Sequence, residues 1–329
     1  MASKLQFLMY FIISVFSIFL AVACTSDNDV PFPDSEAPSI DFEGSALTRG
    51  IVNAADDMSA FDVWGWYSPI SGTGTARQVF DATLVSRNGT TWTYDNIQRW
   101  QQGNSYQFYA IYPSFDAECG YESASCDQKG TFTIKNFDCS KTGDEAVDLM
   151  TAVRSVECGT GGYPGKVSMP FQHELAKVTI TVISESSVVT ITNCKIFGVR
   201  YKGTFIRKSI GTTYWQGFSV NAKEDDFFKA EEFSLNNDGE NTLVRNVFGE
   251  MLLLPHTDDM LFEVKLLFSY HYGDEITDRK STIDLKNEAV KSWEPGKSYD
   301  YTITIRSTDL SVAVKIMDWQ ETNTSVEWN

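Results

Sequence analysis

Six cysteines and three histidines are the residues of this sequence best suited to chemistry. His173, His256 and His271 are scattered along the chain and no CxxC pair accompanies them, so neither a zinc site nor another metal site is expected. Asp258 and Asp259 are adjacent, which is typical of a solvated turn rather than of the facing carboxylates of a glycosidase. No Ser/His/Asp set is evident. The sequence therefore predicts a protein that is not an enzyme and needs no cofactor.

Two loops are weaker candidates for ligand binding. Gly159–Lys166 ends in Gly-Lys as a phosphate-binding loop does, but Thr160 stands where the first glycine is required and Val167 replaces the Ser/Thr. Asn236–Asn241 offers oxygen ligands around Gly239 without the spaced acidic positions of an EF-hand. Both are interpreted as turns.

Cys24 is the one cysteine placed for covalent modification. The stretch from Leu5 to Ala23 carries no charge and follows Lys4, which is the layout of a secretory signal. Leu20-Ala21-Val22-Ala23-Cys24 resembles the lipobox of bacterial lipoproteins, in which the cysteine sulfur receives a diacylglyceryl group. We therefore expect residues 1–23 to be a cleaved signal peptide and Cys24 to carry acyl chains that bind a membrane. An uncleaved signal anchor and ordinary secretion are the alternatives.

The other five cysteines would then meet an oxidising environment, where disulfides form. Cys119 and Cys126 bracket a short loop and are the favoured pair, and Cys139 with Cys158 is a plausible second pair. Cys194 lies in an apolar alternating segment and is expected to be a buried thiol. Spacing alone does not fix the pairing.

Charge and size narrow the class of protein. The formal net charge is −17, and phosphate binding needs a cationic surface, so nucleic acid is not an expected partner. A chain of 329 residues that is 42% hydrophobic suits two domains or one large β-domain. The alternation of apolar and polar residues with period two indicates strands with one buried face, as in these sets: Phe61, Val63 and Tyr67; Val178, Ile180 and Val182; Phe262, Val264, Leu266 and Phe268; Tyr299, Tyr301, Ile303 and Ile305; Val312, Val314 and Ile316.

Many short strands separated by turn residues predict an all-β protein built of β-sandwiches. Residues 24–49 are polar and proline-dotted at their start and are interpreted as an N-terminal tether or propeptide, or as a segment that is ordered only by pairing with a later part of the chain. The turn-rich stretch around 158–165 divides the remainder into an N-terminal sandwich, 50–163, and a C-terminal sandwich, 164–329. Trp64-Gly65-Trp66-Tyr67 could stack on sugars, although one face of that strand must be core.

Six segments in order resemble the fimbrillin family of type V pili of Bacteroidota. They are Leu47-Thr48-Arg49-Gly50, Phe61-Asp62-Val63-Trp64-Gly65-Trp66-Tyr67, Leu149-Met150-Thr151-Ala152, Phe171-Gln172-His173-Glu174-Leu175-Ala176-Lys177-Val178, Trp293-Glu294-Pro295-Gly296-Lys297-Ser298-Tyr299-Asp300-Tyr301 and Val314-Lys315-Ile316-Met317-Asp318-Trp319. The resemblance covers nearly the whole chain beyond the lipobox.

The resemblance implies two tandem transthyretin-like Greek-key β-sandwiches and a structural subunit of a cell-surface fimbrium that supports adhesion. It implies transport to the outer membrane as a lipoprotein, and a trypsin-like protease that cuts between Arg49 and Gly50. A strand from a second fimbrillin subunit then fills the groove left by the first strand. The donor implied here is the C-terminal segment with Val312, Val314 and Ile316, which alternate as a donor or as a last core strand would.

The resemblance leaves three roles open, those of a shaft, an anchor or a tip subunit. An anchor subunit would keep its N-terminal segment uncut. The alternative function is a surface lipoprotein adhesin that binds a host or bacterial glycan through Trp64 or Trp66.

Overall fold

The computed structural model describes residues 37–46, 58–116, 118–185, 188–208, 212–235, 244–307 and 309–319. Nearly all regular structure in these residues is β-strand, which confirms the all-β prediction. The helical elements of the described chain are the short α1 (Asp258–Phe262) and one 3-10 turn at Gly143–Glu145. None of its helices is long and apolar enough to cross a membrane.

The first sheet has seven strands and contains both the start of the described chain and most of its first half. Its strands, in spatial order, are β1 (Phe42–Ala46), β9 (Val167–His173), β8 (Met150–Cys158), β5 (Asn104–Tyr112), β2 (Ala60–Pro69), β3 (Arg77–Asn88) and β4 (Thr91–Thr93). The β1–β9 pair is parallel and the other pairs are antiparallel. The sheet curls until its two edge strands, β1 and β4, contact each other.

The central strand β2 of the first sheet is buried on both faces. Phe61 and Val63 of β2 belong to a core enclosed by the curled sheet, whereas Trp64 and Trp66 point to the opposite side and join a second core. Each residue from Phe61 to Trp66 is consequently buried. A strand with one solvated face alternates apolar and polar residues. Because β2 has a core on each side, its sequence is apolar on both faces.

Two further sheets enclose most of the second core. One consists of β16 (Val244–Asn246), β10 (Ala176–Ser184), β20 (Lys297–Ile305) and β21 (Leu310–Asp318), with β17 (Met251–Leu253) also pairing with β10. The other consists of β14 (Lys229–Ala230), β11 (Val189–Phe197), β18 (Lys265–Tyr272) and β19 (Arg279–Asp284), with β15 (Phe233–Leu235) also pairing with β11. Alternate residues of both sheets, including Val178, Ile180, Ile191 and Leu266, fill the core between them, as in a β-sandwich.

A fourth sheet joins the two halves of the chain. It is formed by β13 (Thr212–Val220), β12 (Arg200–Lys208), β7 (Phe132–Asp138) and β6 (Ser123–Cys126), so strands from before and after residue 164 lie side by side. Phe132 of β7 packs edge-on against Trp64, with ring centroids 5.2 Å apart. The division into 50–163 and 164–329 stays a prediction, and the structure places β9 beside β8 in the first sheet.

Candidate assembly site

The first described residues of the chain form a strap that closes the first core. Ile40 and Phe42 are 0% and 2% exposed. The backbone N–H of Ile40 donates to the Gln98 carbonyl at 2.9 Å, and the Tyr94 hydroxyl donates to the Ile40 carbonyl at 2.8 Å. This part of the predicted tether is therefore packed against the first sheet.

Phe42 is the centre of an aromatic cluster. Its ring lies 5.3 Å from that of Phe80 and 5.6 Å from that of Phe108, and the rings of Phe61 and Tyr94 lie at 6.2 and 5.9 Å. All four pairs are edge-to-face, an arrangement that aromatic rings prefer. Phe42 thus connects β1 to the centre of the first core.

Among the described residues, β1 forms a backbone ladder with β9 alone. Phe42–Ala46 runs parallel to Val167–Phe171 of β9, and the Val167 N–H donates to the Asp41 carbonyl at 2.8 Å. Because β1 is the edge strand, its removal leaves an open sheet edge along β9 beside the pockets of Ile40 and Phe42.

The predicted donor residues lie on β21, the opposite end of the described chain. The strand forms the edge of its sheet and pairs along its whole length with β20 of the same molecule. Val312 and Val314 are half-buried against the second core, and Ile316 is 42% exposed. In this structure these residues form a last core strand. Their alternation allows two roles, a donor strand and a last core strand, and this is the second.

A buried ion pair lies where the first sheet leads into the second. The Glu174 carboxylate is buried and accepts hydrogen bonds from the Thr151 hydroxyl at 2.5 Å and from the Arg207 guanidinium at 2.9 Å. Burial raises the pKa of Glu174, and the charge of Arg207 and the Thr151 hydrogen bond oppose that rise. Arg207 is on β12, so the pair ties the fourth sheet to the β9–β10 connection.

His173 precedes this glutamate and is also buried. Its Nδ1 lies 2.8 Å from one carboxylate oxygen of Asp148, and its ring stacks on the indole of Trp319 with centroids 3.8 Å apart. The motif histidine is therefore fixed on two sides in the core. It is not positioned as an exposed base.

The aromatic platform proposed from Trp64-Gly65-Trp66-Tyr67 does not exist as a surface. Trp64 and Trp66 are 3% and 7% exposed, because the fourth sheet covers the face of β2 from which they project. Neither indole is accessible to a sugar, so the alternative function through Trp64 or Trp66 has no support in this structure.

Neither predicted disulfide is present, because all five described cysteines are free thiols. Cys139 and Cys158 belong to different cores, and Cys119 and Cys126 direct their sulfur atoms to the carbonyls of different residues, Tyr121 and Asp127. Cys194 is buried as expected. Burial raises the pKa of the Cys139 thiol to about 12, which keeps it protonated and unreactive.

Several predicted sites lie outside the described residues. These are the lipidation site Cys24, the cleavage position Arg49–Gly50 and the loop at 236–241. In the ranges that the structure does describe, no group of three or more His, Cys, Asp or Glu side chains is arranged to hold a metal ion.

Solved structures with the same overall fold support the architecture. A candidate cell adhesion protein from Bacteroides ovatus is 15% identical with a TM-score of 0.53, and the match covers 87% of this chain and 99% of that one. A fimbrial protein from Bacteroides vulgatus is 14% identical with a TM-score of 0.52, and the match covers 85% of this chain and 99% of that one. At these identities the likeness shows the fold alone.

Sequence comparison identifies the family directly. Comparison with curated proteins found no significant match. The fimbrillin-like family, in contrast, matches residues 48–319, which include every strand from β2 to β21. The matched region also contains His173 and Trp319, whose buried rings stack on each other. The chain therefore belongs to the fimbrillin-like family, which assigns it a role as a subunit of a cell-surface fimbrium.

Proposed function

We propose that this protein is a fimbrial subunit that is exported as a lipoprotein through Cys24 and polymerises by strand exchange after cleavage between Arg49 and Gly50. The observation that carries the proposal is the position of β1. Ile40, just before β1, and Phe42, its first residue, fill the first core, yet the strap is joined to the sheet that follows only through residues 47–57, which contain Arg49. One cut there would separate the strap covalently from the sheet that it closes.

Loss of the strap from the first core costs free energy. Full burial of one large apolar side chain contributes about 1.5–3 kcal/mol, so losing Ile40 and Phe42 together removes roughly 3–6 kcal/mol. The open edge of β9 adds unpaired backbone donors and acceptors. An extended segment with alternating apolar residues is the natural replacement, because its backbone satisfies the edge and its side chains fill the pockets.

The C-terminal strand of a second subunit has the required pattern. Leu310, Val312, Val314 and Ile316 occupy alternate positions on one face of β21. The first three are only half-buried in their own sheet. Transfer to a fully buried groove would therefore increase the apolar area that they bury.

Limited proteolysis tests the proposal. The chain expressed from Thr25 is treated with trypsin, its new N-terminus is read by mass spectrometry, and its assembly is followed by gel electrophoresis without boiling. We expect a stable fragment that begins at Gly50 and then forms ladders of polymers. Arg49→Ala should block both events. Arg77→Ala, at an exposed arginine of β3, is the matched control and should block neither.

Two outcomes would argue against the proposal. A Gly50 fragment that remains monomeric would contradict strand exchange, and a chain that resists cutting at Arg49 on the cell would indicate an anchor subunit. Mass spectrometry of the native surface protein separates these cases, because a shaft subunit starts at Gly50 and an anchor starts at acylated Cys24. Loss of labelling by a palmitate analogue in Cys24→Ser would identify the lipid site.

A further inference from the structure

The residue that directly follows the C-terminal strand is far more buried than most of the strand itself. Ala313 and every residue from Lys315 to Asp318 are exposed, whereas Trp319, directly after the strand, is 2% exposed. Most of β21 thus lies on the surface as an edge strand. The large indole at its end is the exception.

Trp319 is attached to the junction between β9 and β10. Its indole stacks on His173 with an interplanar angle of 7°, and the Lys177 ammonium lies 5.7 Å from the indole centroid. Its backbone N–H donates to the Gly296 carbonyl at 2.7 Å, and the Gly296 N–H donates to the Leu175 carbonyl at 2.8 Å. Gly296 has a φ of 70°, which favours glycine, so the Pro-Gly turn is shaped to present both groups.

The same side chain has a buried hydrogen-bond donor that is not satisfied. The indole Nε1 of Trp319 is buried and has no hydrogen-bond partner among the described residues. A buried donor without a partner opposes part of the gain from burial, and exposure to water would satisfy it. The indole is therefore an anchor that can be released.

The geometry of β21 decides where release must begin. The strand is tied to β20 at its Leu310 end by the short turn that follows Ile305, so it can peel away only from its C-terminal end. We propose that Trp319 is the latch of the C-terminal strand, and that its separation from His173 is the step that frees β21 for donation to another subunit. This inference rests on the proposed strand exchange.

Hydrogen exchange of the uncut monomer tests the latch without requiring assembly. In Trp319→Ala we expect the backbone amides of β21 to exchange about a hundredfold faster than in the wild-type protein, because a large buried ring is lost. The amides of β3, which three strands of the first sheet separate from β9 and His173, should be unchanged. Met317→Ala is the matched control, since Met317 is on the same strand and 37% exposed, and it should leave exchange as in the wild type.

A milder variant covers the case in which Trp319→Ala fails to fold. Trp319→Phe keeps an apolar ring against His173 and should accelerate the exchange of β21 to a smaller extent. Unchanged exchange of β21 in a folded Trp319 variant overturns the latch.

Assembly after cleavage supplies the second readout. If the wild-type fragment polymerises, the Trp319 variants should polymerise faster, and equal rates would overturn the role of the latch in donation. If the wild-type fragment never polymerises, the strand-exchange function fails. The hydrogen-exchange result then still reports whether Trp319 holds the strand.

Discussion

Replacement of Phe42 by alanine tests the central physical argument, that one side chain holds β1 in the first core. Phe42 is 2% exposed and contacts four aromatic rings. Phe→Ala substitutions in protein cores cost about 3–5 kcal/mol. Because β1 is an edge strand and its neighbours can relax toward the gap, we expect the lower end of that range, about 3 kcal/mol.

In the uncut protein this loss appears in the free energy of unfolding. Urea denaturation followed by circular dichroism should show the midpoint of Phe42→Ala lowered, with the slope of the transition unchanged. Phe115→Ala is the control, because the Phe115 side chain is 61% exposed. Its effect should stay within about 0.5 kcal/mol of the wild type.

After cleavage the same contact governs how long the strap remains bound. A loss of about 3 kcal/mol corresponds to a roughly hundredfold weaker association of the N-terminal fragment. Gel filtration of the trypsin-cut protein, with a fluorophore on the fragment, measures its release. If Phe42→Ala neither destabilises the uncut chain nor accelerates release of the fragment, Phe42 does not hold the strap and the reasoning behind strand exchange is refuted.

Further substitutions probe other parts of the molecule. Burial lowers the pKa of His256 from 6.5 to about 4, so the unfolded chain binds a proton that the folded protein excludes. Stability should therefore decline by roughly 3 kcal/mol as the pH falls from 6.5 to 4. His256→Gln should flatten that decline in urea titrations at a series of pH values. Arg207→Ala removes the charge that compensates buried Glu174 and should destabilise by about 3–5 kcal/mol, with partial recovery on adding Glu174→Gln, as measured by denaturation. Trp66→Ala should cost about 3–5 kcal/mol in the same assay, since the indole is core, and a loss within 0.5 kcal/mol would contradict its burial.

The strands of the C-terminal half could be predicted because their alternation reflects one buried face. Val178, Ile180 and Val182 are each 0% exposed, and the polar residues between them are partly exposed. Tyr299 and Tyr301 on the parallel neighbour β20 follow the same pattern. Period-two patterning is sufficient where a strand lies at the surface of a sandwich.

The same pattern was misleading at Phe262. Its spacing from Val264 and Leu266 predicted a continuous strand, but the structure has the helix α1 up to Phe262 and starts β18 at Lys265. Phe262 is 63% exposed. The acidic residues Asp258 and Asp259 lie in the first helical turn, where carboxylates interact favourably with the helix dipole, and this local preference prevails over the alternation.

The strap and the buried tryptophans could not be predicted, because both depend on distant partners. Nothing in the pattern of residues 38–46 distinguishes a strand from a tether, and β1 forms only because β9, more than a hundred residues later, offers an edge. The burial of Trp64 depends in turn on the pairing of β7 with β12. Such long-range pairings leave no local periodicity to read.

The difference in burial between the strap and β21, at opposite ends of the described residues, favours the proposed exchange over its reversal. Ile40 and Phe42 leave fully buried sites, whereas Val312 and Val314 leave half-buried ones, so a donor strand buries more apolar surface in the groove than in its own sheet. Trp319 is the exception, since its indole is buried before exchange and must be exposed during it. Proteolysis would therefore remove the thermodynamic block at Phe42, while Trp319 would set the rate at which the strand is offered. Both steps are required, and a monomer with an intact strap and a closed latch would be stable until the protease acts.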